Sequence, residues 1–331
     1  MSTLLDAGVP VLSCLNLMAQ QSEDSEFKRV LERIVKDVNA GVTLSIAFAK
    51  FPDIFSSLFL AMVRMAEEVG NLAQVLNQLS IYLKEQDQLK KKIKAAITYP
   101  RFVLGFFLLV LLAIIFGLIP KFKEIFESFD AELPVPTQML LNVSNFAKDH
   151  LFAELLLLAG VVFLFKQYQK SPSGRYFLDR MKLSLPVVGE LFSKSALAKF
   201  CRTLSVLLQS GVSFVESLEI AGDTTQNVLF QDALREVKQG IIEGTSLKQQ
   251  LSKYPVFPPL MVKMVSVGEE SGSLDKMLSK ISEMYDAHVD SKISGLSSII
   301  EPALMIGLGA VALVVIIALY LPIFKMSTVI H

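Results

Sequence analysis

Two acidic pairs, Glu67-Glu68 and Glu269-Glu270, are the residues whose type and spacing could do chemistry. Each pair falls in the last turn of a predicted helix, just ahead of a glycine, Gly70 or Gly272. A carboxylate there faces the negative end of the helix dipole, at a cost of roughly a few tenths of a kcal/mol. An unfavourable pair that occurs twice predicts a compensating group: a cation, a partner protein, or a buried helix-end hydrogen bond. Gly272 is read as closing one helix and Ser273 as capping the next. A second constellation is Glu301-Pro302, which aligns with Tyr99-Pro100 at the entry to an apolar run. Proline there can begin a new helix or kink a continuing one. Glu301 is placed to be solvated at an interface or to meet a Lys or Arg of a neighbouring subunit or substrate.

Signals for catalysis are missing. There is no Gly-x-x-x-x-Gly-Lys-Ser/Thr loop for phosphates and no His-Glu-x-x-His for a metal. There is also no Gly-x-Ser-x-Gly elbow, and His150, His288 and His331 are scattered. Cys14 and Cys201 stand at different places in the two halves and read as small buried hydrophobes. The chain is therefore expected to be no enzyme, with no cofactor and no metal. A formal net charge of +0 argues against a nucleic-acid partner.

The elements that position these residues come from an internal duplication. Residues 66–76 repeat as residues 268–278, and Leu5-Asp6-Ala7-Gly8-Val9 aligns with Leu208-Gln209-Ser210-Gly211-Val212. In the second copy Leu197, Phe200, Cys201, Leu204, Leu207 and Leu208 lie on one face of a helix that ends at Gly211. Ser213-Phe214-Val215-Glu216 then reads as a capping box. The first copy has only a stub before Gly8 and opens its next helix at Pro10. Phe27, Leu31, Ile34 and Val38 match Phe230, Leu234, Val237 and Ile241 as one apolar stripe. Gly41 and Gly244 follow, then a short helix expected to stop at Pro52 or Pro255. Each copy reads as about six helices with no strand alternation. The stub is expected to leave apolar surface of the first copy uncovered and that copy less stable.

Hydrophobic residues make up 52% of the chain and charged ones 19%, a balance that leans toward a membrane protein. Residues 102–120 and 303–324 carry no charge and are long enough to span. Residues 151–165 are shorter and include Glu154, but Lys166 can snorkel. This run is read as the middle span, since without it the two copies would lie on opposite sides of the membrane. Lys90, Lys91, Lys92, Lys94 and Arg101 precede the first span, and Lys166, Lys170, Arg175, Arg180 and Lys182 follow the second. The connection between these spans carries Glu124, Glu127, Asp130 and Glu132. The positive-inside rule then places both copies in the cytoplasm. The expected fold is an all-α membrane protein: two homologous six-helix cytoplasmic bundle modules joined to three transmembrane helices. Its divisions are 1–100 (first module, N-terminally short), 101–121 (span), 122–149 (periplasmic loop), 150–167 (span), 168–298 (linker and second module), 299–324 (span) and 325–331 (periplasmic tail). Ala303 and Gly307 have small-xxx-small spacing, which permits close helix contact.

Five stretches, in order around three spans, carry a family resemblance. They are Leu185-Pro186-Val187-Val188-Gly189, Leu208-Gln209-Ser210-Gly211-Val212, residues 268–278, Glu301-Pro302, and Tyr320-Leu321-Pro322-Ile323-Phe324-Lys325. The chain resembles the inner-membrane platform proteins of type II secretion systems and type IV pili, the GspF/PilC family, over nearly its whole length. The first copy departs from the pattern, with Ala66 for Gly268 and Val69 for Ser271, and its stub is expected to lack the opening helix and the leader that the family usually carries. The resemblance implies a non-enzymatic inner-membrane protein that couples a cytoplasmic hexameric assembly ATPase to insertion of pilin or pseudopilin subunits. It also implies contact with other inner-membrane assembly proteins and with itself, as a homodimer or small oligomer. Glu269, Glu270, Gly272, Glu67, Glu68, Gly70, Glu301 and Pro302 are the candidate partner-binding residues. The lipid bilayer is the remaining partner. The ending Tyr320 to Lys325 leans to the pilus branch. The competing reading is a three-span transporter or receptor subunit, which would need an intramembrane polar path or a ligand pocket.

Overall fold

The computed structural model describes residues 1–118, 120–121, 124, 135–185 and 188–329, and every regular element among them is a helix. The chain divides into two compact units. One comprises Met1–Lys90 with Tyr176–Ser291, and the other Lys91–Arg175 with Lys292–His331.

The first unit holds both repeats. The first repeat runs through α1 (Ser2–Asp6), α2 (Val11–Gln21), α3 (Ser25–Asn39), α4 (Leu44–Ala49) and α5 (Ser57–Val69) into the start of α6 (Leu72–Ala113). The second follows with α9 (Val188–Gln209), α10 (Phe214–Thr224), α11 (Val228–Ile242), α12 (Leu247–Leu251) and α13 (Pro259–Glu270), then the start of α14 (Leu274–Val329). Between them lie α7 (Val135–Lys170) and α8 (Pro172–Ser184). Left-handed glycines punctuate both repeats in step. Gly8, Gly41 and Gly70 have φ of 81°, 88° and 79°, and Gly211, Gly244 and Gly272 have 82°, 88° and 64°. An L side chain disfavours that region, so glycine at these helix stops keeps the two paths superimposable in sequence.

The matched amphipathic helices start in the same way. Asp24 accepts from the N–H groups of Glu26 and Phe27 at 2.8 and 3.1 Å, and Asn227 from those of Leu229 and Phe230 at 3.0 and 3.4 Å. Each cap contributes about 1 kcal/mol. The faces they launch bury Leu31 and Ile34 in α3, and Phe230, Leu234 and Val237 in α11. Three details differ from the sequence expectation. Helices α4 and α12 end at Ala49 and Leu251, short of Pro52 and Pro255. Of the capping box at Ser213, only one half forms: Ser213 accepts from Glu216 N, while the Glu216 carboxylate turns to Arg64 of the first repeat. Finally, the first repeat's core is not left open at the stub. Leu207, Val212 and Ile220 of the second repeat pack into it with Leu15, Phe48, Met62 and Val63. The apolar surface is covered because the two repeats share one core at that point, with Met65 Cε 3.9 Å from where a Cβ on Gly211 would lie.

In the second unit, α6 continues through Pro100 without a break and passes into a π-helical turn, Ile114–Leu118. Helix α14 likewise runs through Pro302. So neither proline begins a new helix. Two segments, Leu72–Leu118 and Leu274–Ile317, are long and apolar enough to cross a membrane, and almost none of their apolar stretch is buried within the chain. Phe102 is 72% exposed and Ile306 74%, which no core helix of a water-soluble protein would show. Residues 151–165 lie within α7, which begins at Val135, inside the stretch expected as loop. Of that loop, Glu127, Asp130, Ala131 and Glu132 are outside the described residues, as are Pro186, Val187 and His331.

Candidate functional site

The two acidic turns occupy equivalent places in the first unit, and the structure separates the two members of each pair. Helix α4 begins at Leu44 after Thr43, whose side chain caps nothing. The Glu67 carboxylate takes that place, with Oε1 accepting from Leu44 N and Oε2 from Ser45 N at 2.9 Å. In the second repeat Glu269 does the same for α12, accepting from Leu247 N at 2.9 Å and Lys248 N at 3.3 Å. Ser246 adds a bond from Gln249 N at 3.3 Å. Of the three compensating groups the sequence allows, the first glutamate of each pair uses the helix-end hydrogen bond. The balance favours it: hydrogen bonds to a charged group contribute about 1.5–3 kcal/mol, against a few tenths, roughly, for the dipole of the glutamate's own helix.

The second members differ. Glu270 accepts from Ser266 Oγ at 2.8 Å, one turn back on the same helix face. Glu68 is exposed. The residue that matches Ser266 in the first repeat is Arg64, and it is drawn to Glu216 instead. Around the turns, Ser271 Oγ donates to Val267 O at 2.7 Å and shares a 2.6 Å hydrogen bond with Ser273 Oγ. Its first-repeat counterpart, Val69, is 65% exposed. At Gly268 an added Cβ would stand 3.0 Å from Leu274 Cα and Met277 Cβ, a tight approach that α13 and α14 would have to relax by a few tenths of an ångström to admit a side chain. Gly70 and Gly272 turn the chain, with Gly70 N donating to Ala66 O at 2.9 Å and Ser273 N to Gly268 O at 2.9 Å. Glu301 and Pro302 are exposed on α14 in the second unit, and Tyr99 is exposed on α6.

Sequence reasoning missed a polar seam between the repeats. Arg202 on α9, its side chain 13% exposed, pairs with Glu85 of α6 at 3.2 Å and with Asp286 of α14. Beside it Tyr82 Oη and Thr203 Oγ1 lie 2.9 Å apart, and Ser210 Oγ donates to Gln78 Oε1 at 3.0 Å. Arg202, Glu85, Asp286, Tyr82 and Gln78 edge a cleft of about 430 Å³ that also includes Gln209, Ser279 and Glu283. The available signal was a cation next to Cys201 on a helix otherwise marked by its apolar face. Burial, then the neighbouring Lys90, pulls the Lys199 ammonium below its usual value. Burial pushes the Cys201 thiol up, and both cysteines are fully buried, as their composition suggested. Among the described residues no group of His, Cys, Asp and Glu is arranged to hold a metal ion.

Comparison with known proteins gives this scaffold a family. The family model described as "Type II secretion system (T2SS), protein F" matches residues 1–120 and 200–322. The type IV pilus assembly protein PilC of Myxococcus xanthus is 36% identical over 326 residues, 98% of this chain and 78% of that one. PilC of Pseudomonas aeruginosa is 34% identical over 331 residues, 100% of this chain and 88% of its own. The type II secretion system protein F of Vibrio cholerae is 29% identical over 327 residues, 99% and 80% of the two chains. Matched along both repeats and both apolar helices, the chain belongs to the type II secretion system protein F family.

Proposed function

We propose that this chain is an inner-membrane platform of a type IV pilus or type II secretion machine, coupling a cytoplasmic assembly ATPase to the insertion of pilin or pseudopilin subunits. The observation that carries the reading is similarity over essentially the whole chain to proteins named for those two assemblies. The PilC relatives reach 36% and 34% identity against 29% for the protein F relative, which favours the pilus branch. The platform acts without catalysis of its own. Three helices span the membrane, the middle one formed by residues 151–165 of α7. Along it Leu156, Leu157, Phe163 and Leu164 are each more than 60% exposed, as lipid-facing residues are. Both repeats and the N-terminus face the cytoplasm and the C-terminus the periplasm, and the chain works as a homodimer or small oligomer among other inner-membrane assembly proteins.

Within each acidic turn the second glutamate is the one offered to a partner, because the first is committed to a helix end. Glu68 and Glu270, with the turns at Gly70 and Gly272, suit a cationic patch on the ATPase or a second subunit. Glu301 and Pro302 suit a contact at the cytoplasmic surface of the membrane. Co-purification with the assembly ATPase of the same machine tests the reading. The Glu270→Gln variant should lower recovery of the ATPase and block fibre assembly at unchanged membrane levels, more than Glu68→Gln does. Full assembly in Glu270→Gln would remove the acidic turn from the partner surface.

A further inference from the structure

Helix α8 has two contrasting faces. Inward, Leu178 and Asp179 are 8% and 3% exposed, and Leu183 packs on the second repeat's core. Asp179 fixes the helix there: its carboxylate accepts from Val228 N at 3.1 Å, at the start of α11, and from Lys182 Nζ at 2.8 Å. Outward, at helical spacing, stand Tyr176, Phe177, Arg180 and Met181, and the stripe continues to Leu185 just past the helix end. The four apolar members of that stripe are 42%, 56%, 42% and 44% exposed in that order. A helix that has already buried one face has no need of a second apolar face unless something covers it.

We propose that this outer stripe lies on the headgroup region of a bilayer containing anionic lipid, making α8 an interfacial helix. The proposal rests on the reading of α7 as a span. Three observations identify lipid as the occupant. Helix α8 begins two residues after α7 ends at Lys170, so the chain reaches it directly from the apolar, exposed stretch of α7. The charges fit an anionic surface: Arg180 lies in the stripe and Arg175 precedes it, and neither has an acidic partner among the described residues. The one carboxylate on α8, Asp179, is turned inward. A tyrosine, a phenylalanine and long apolar side chains beside arginine form the composition that settles at the headgroup boundary.

The test uses the full chain in vesicles, with an environment-sensitive NBD label on Phe177→Cys or Met181→Cys. Cys14 and Cys201 are fully buried and stay unlabelled. Arg235→Cys on α11, whose side chain is 71% exposed, serves as the aqueous reference, and Leu157→Cys on α7 as the reference for the span. In vesicles of phosphatidylglycerol and phosphatidylcholine, labels at 177 and 181 should be quenched by lipids brominated near the headgroup, and the label at 235 should not. Arg180→Gln should lower the docked-to-undocked ratio about fivefold in anionic vesicles and leave it unchanged in pure phosphatidylcholine. Labels at 177 and 181 as unquenched as at 235, with 157 quenched, would overturn the proposal and leave the span intact. A dry but unquenched environment at 177 would also overturn it, by showing that protein covers the stripe. An unquenched label at 157 would remove the span and the proposal together.

Discussion

Replacing Glu67 with Gln should destabilise the first unit, although the change conserves size and removes a charge from an unfavourable helix end. The carboxylate accepts from two backbone N–H groups, those of Leu44 and Ser45. Gln keeps one acceptor and turns its amide NH₂ toward the other N–H, so one bond is lost and two donors face each other. Losing a cap costs about 0.5–2 kcal/mol, and the half-buried position of Glu67 places it toward the upper end. Relief at the dipole of α5 returns roughly 0.3–0.5 kcal/mol. The net loss is about 1.5 kcal/mol, or roughly 3–6 °C in Tm for a unit of this size. Glu269 is exposed and its second bond is longer, at 3.3 Å, while Ser246 also caps α12. Its Gln variant should lose only about half as much. Glu270→Gln should stay within about 0.5 kcal/mol, as surface changes usually do. Thermal unfolding of the purified protein in detergent, read by circular dichroism, ranks the three. A Tm for Glu67→Gln equal to or above that of the parent would refute the capping argument.

Other outcomes follow from the same framework. Reporter fusions after residue 100, at Ala131 and at Lys194 should read inside, outside and inside; an outside signal at Lys194 would remove the middle span. Leu207→Ala should open a cavity in the first repeat's core and cost about 2–5 kcal/mol. It should also speed maleimide labelling of Cys14, and unchanged labelling would show that the first repeat closes without α9. Arg202→Met should cost on the order of 3 kcal/mol, because Glu85 and Asp286 lose their shared cation. The triple change with Glu85→Gln and Asp286→Asn should recover much of that in urea unfolding, and no recovery would deny the pairing.

The repeat was legible because its punctuation is local. A glycine at a helix stop and an apolar stripe such as Leu31 and Ile34 are each set by a few neighbouring residues. Helix continuity through Pro100 and Pro302 was not legible, since a proline at a span entry is compatible with a start or a continuation. The acidic pairs were legible as an anomaly needing compensation, and one of the three answers offered was found. Which one depended on α4 lying against the end of α5, a contact between residues more than twenty positions apart, and periodicity carries no such information. Arg202 was missed for the same reason: its partners Glu85 and Asp286 lie on two other helices, far away in sequence.

The differences between the repeats show that they are not interchangeable. In the first, Lys50 of the α4 end pairs with Asp37 of α3 at 2.8 Å. In the second, Lys253 keeps its place but bonds to Gln250 Oε1 at 2.8 Å. Gly240 stands where α3 has Asp37, and an added Cβ there would collide with the Gln250 amide. The acceptor has moved from one helix to the next, and the space it occupies was cleared by the glycine. Asp37 transplanted to position 240 would clash with Gln250, and Gln250 transplanted to Ala47 would enter a site that is fully buried. Arg64 and Glu216 make the same point across the repeats, since the residue matching Arg64 is Ser266, which binds Glu270 within its own turn. Each repeat has therefore specialised to its side of a shared core. With Leu207, Val212 and Ile220 completing the first core and Arg202 drawing α6 and α14 onto α9, the two repeats are expected to unfold as one cooperative unit.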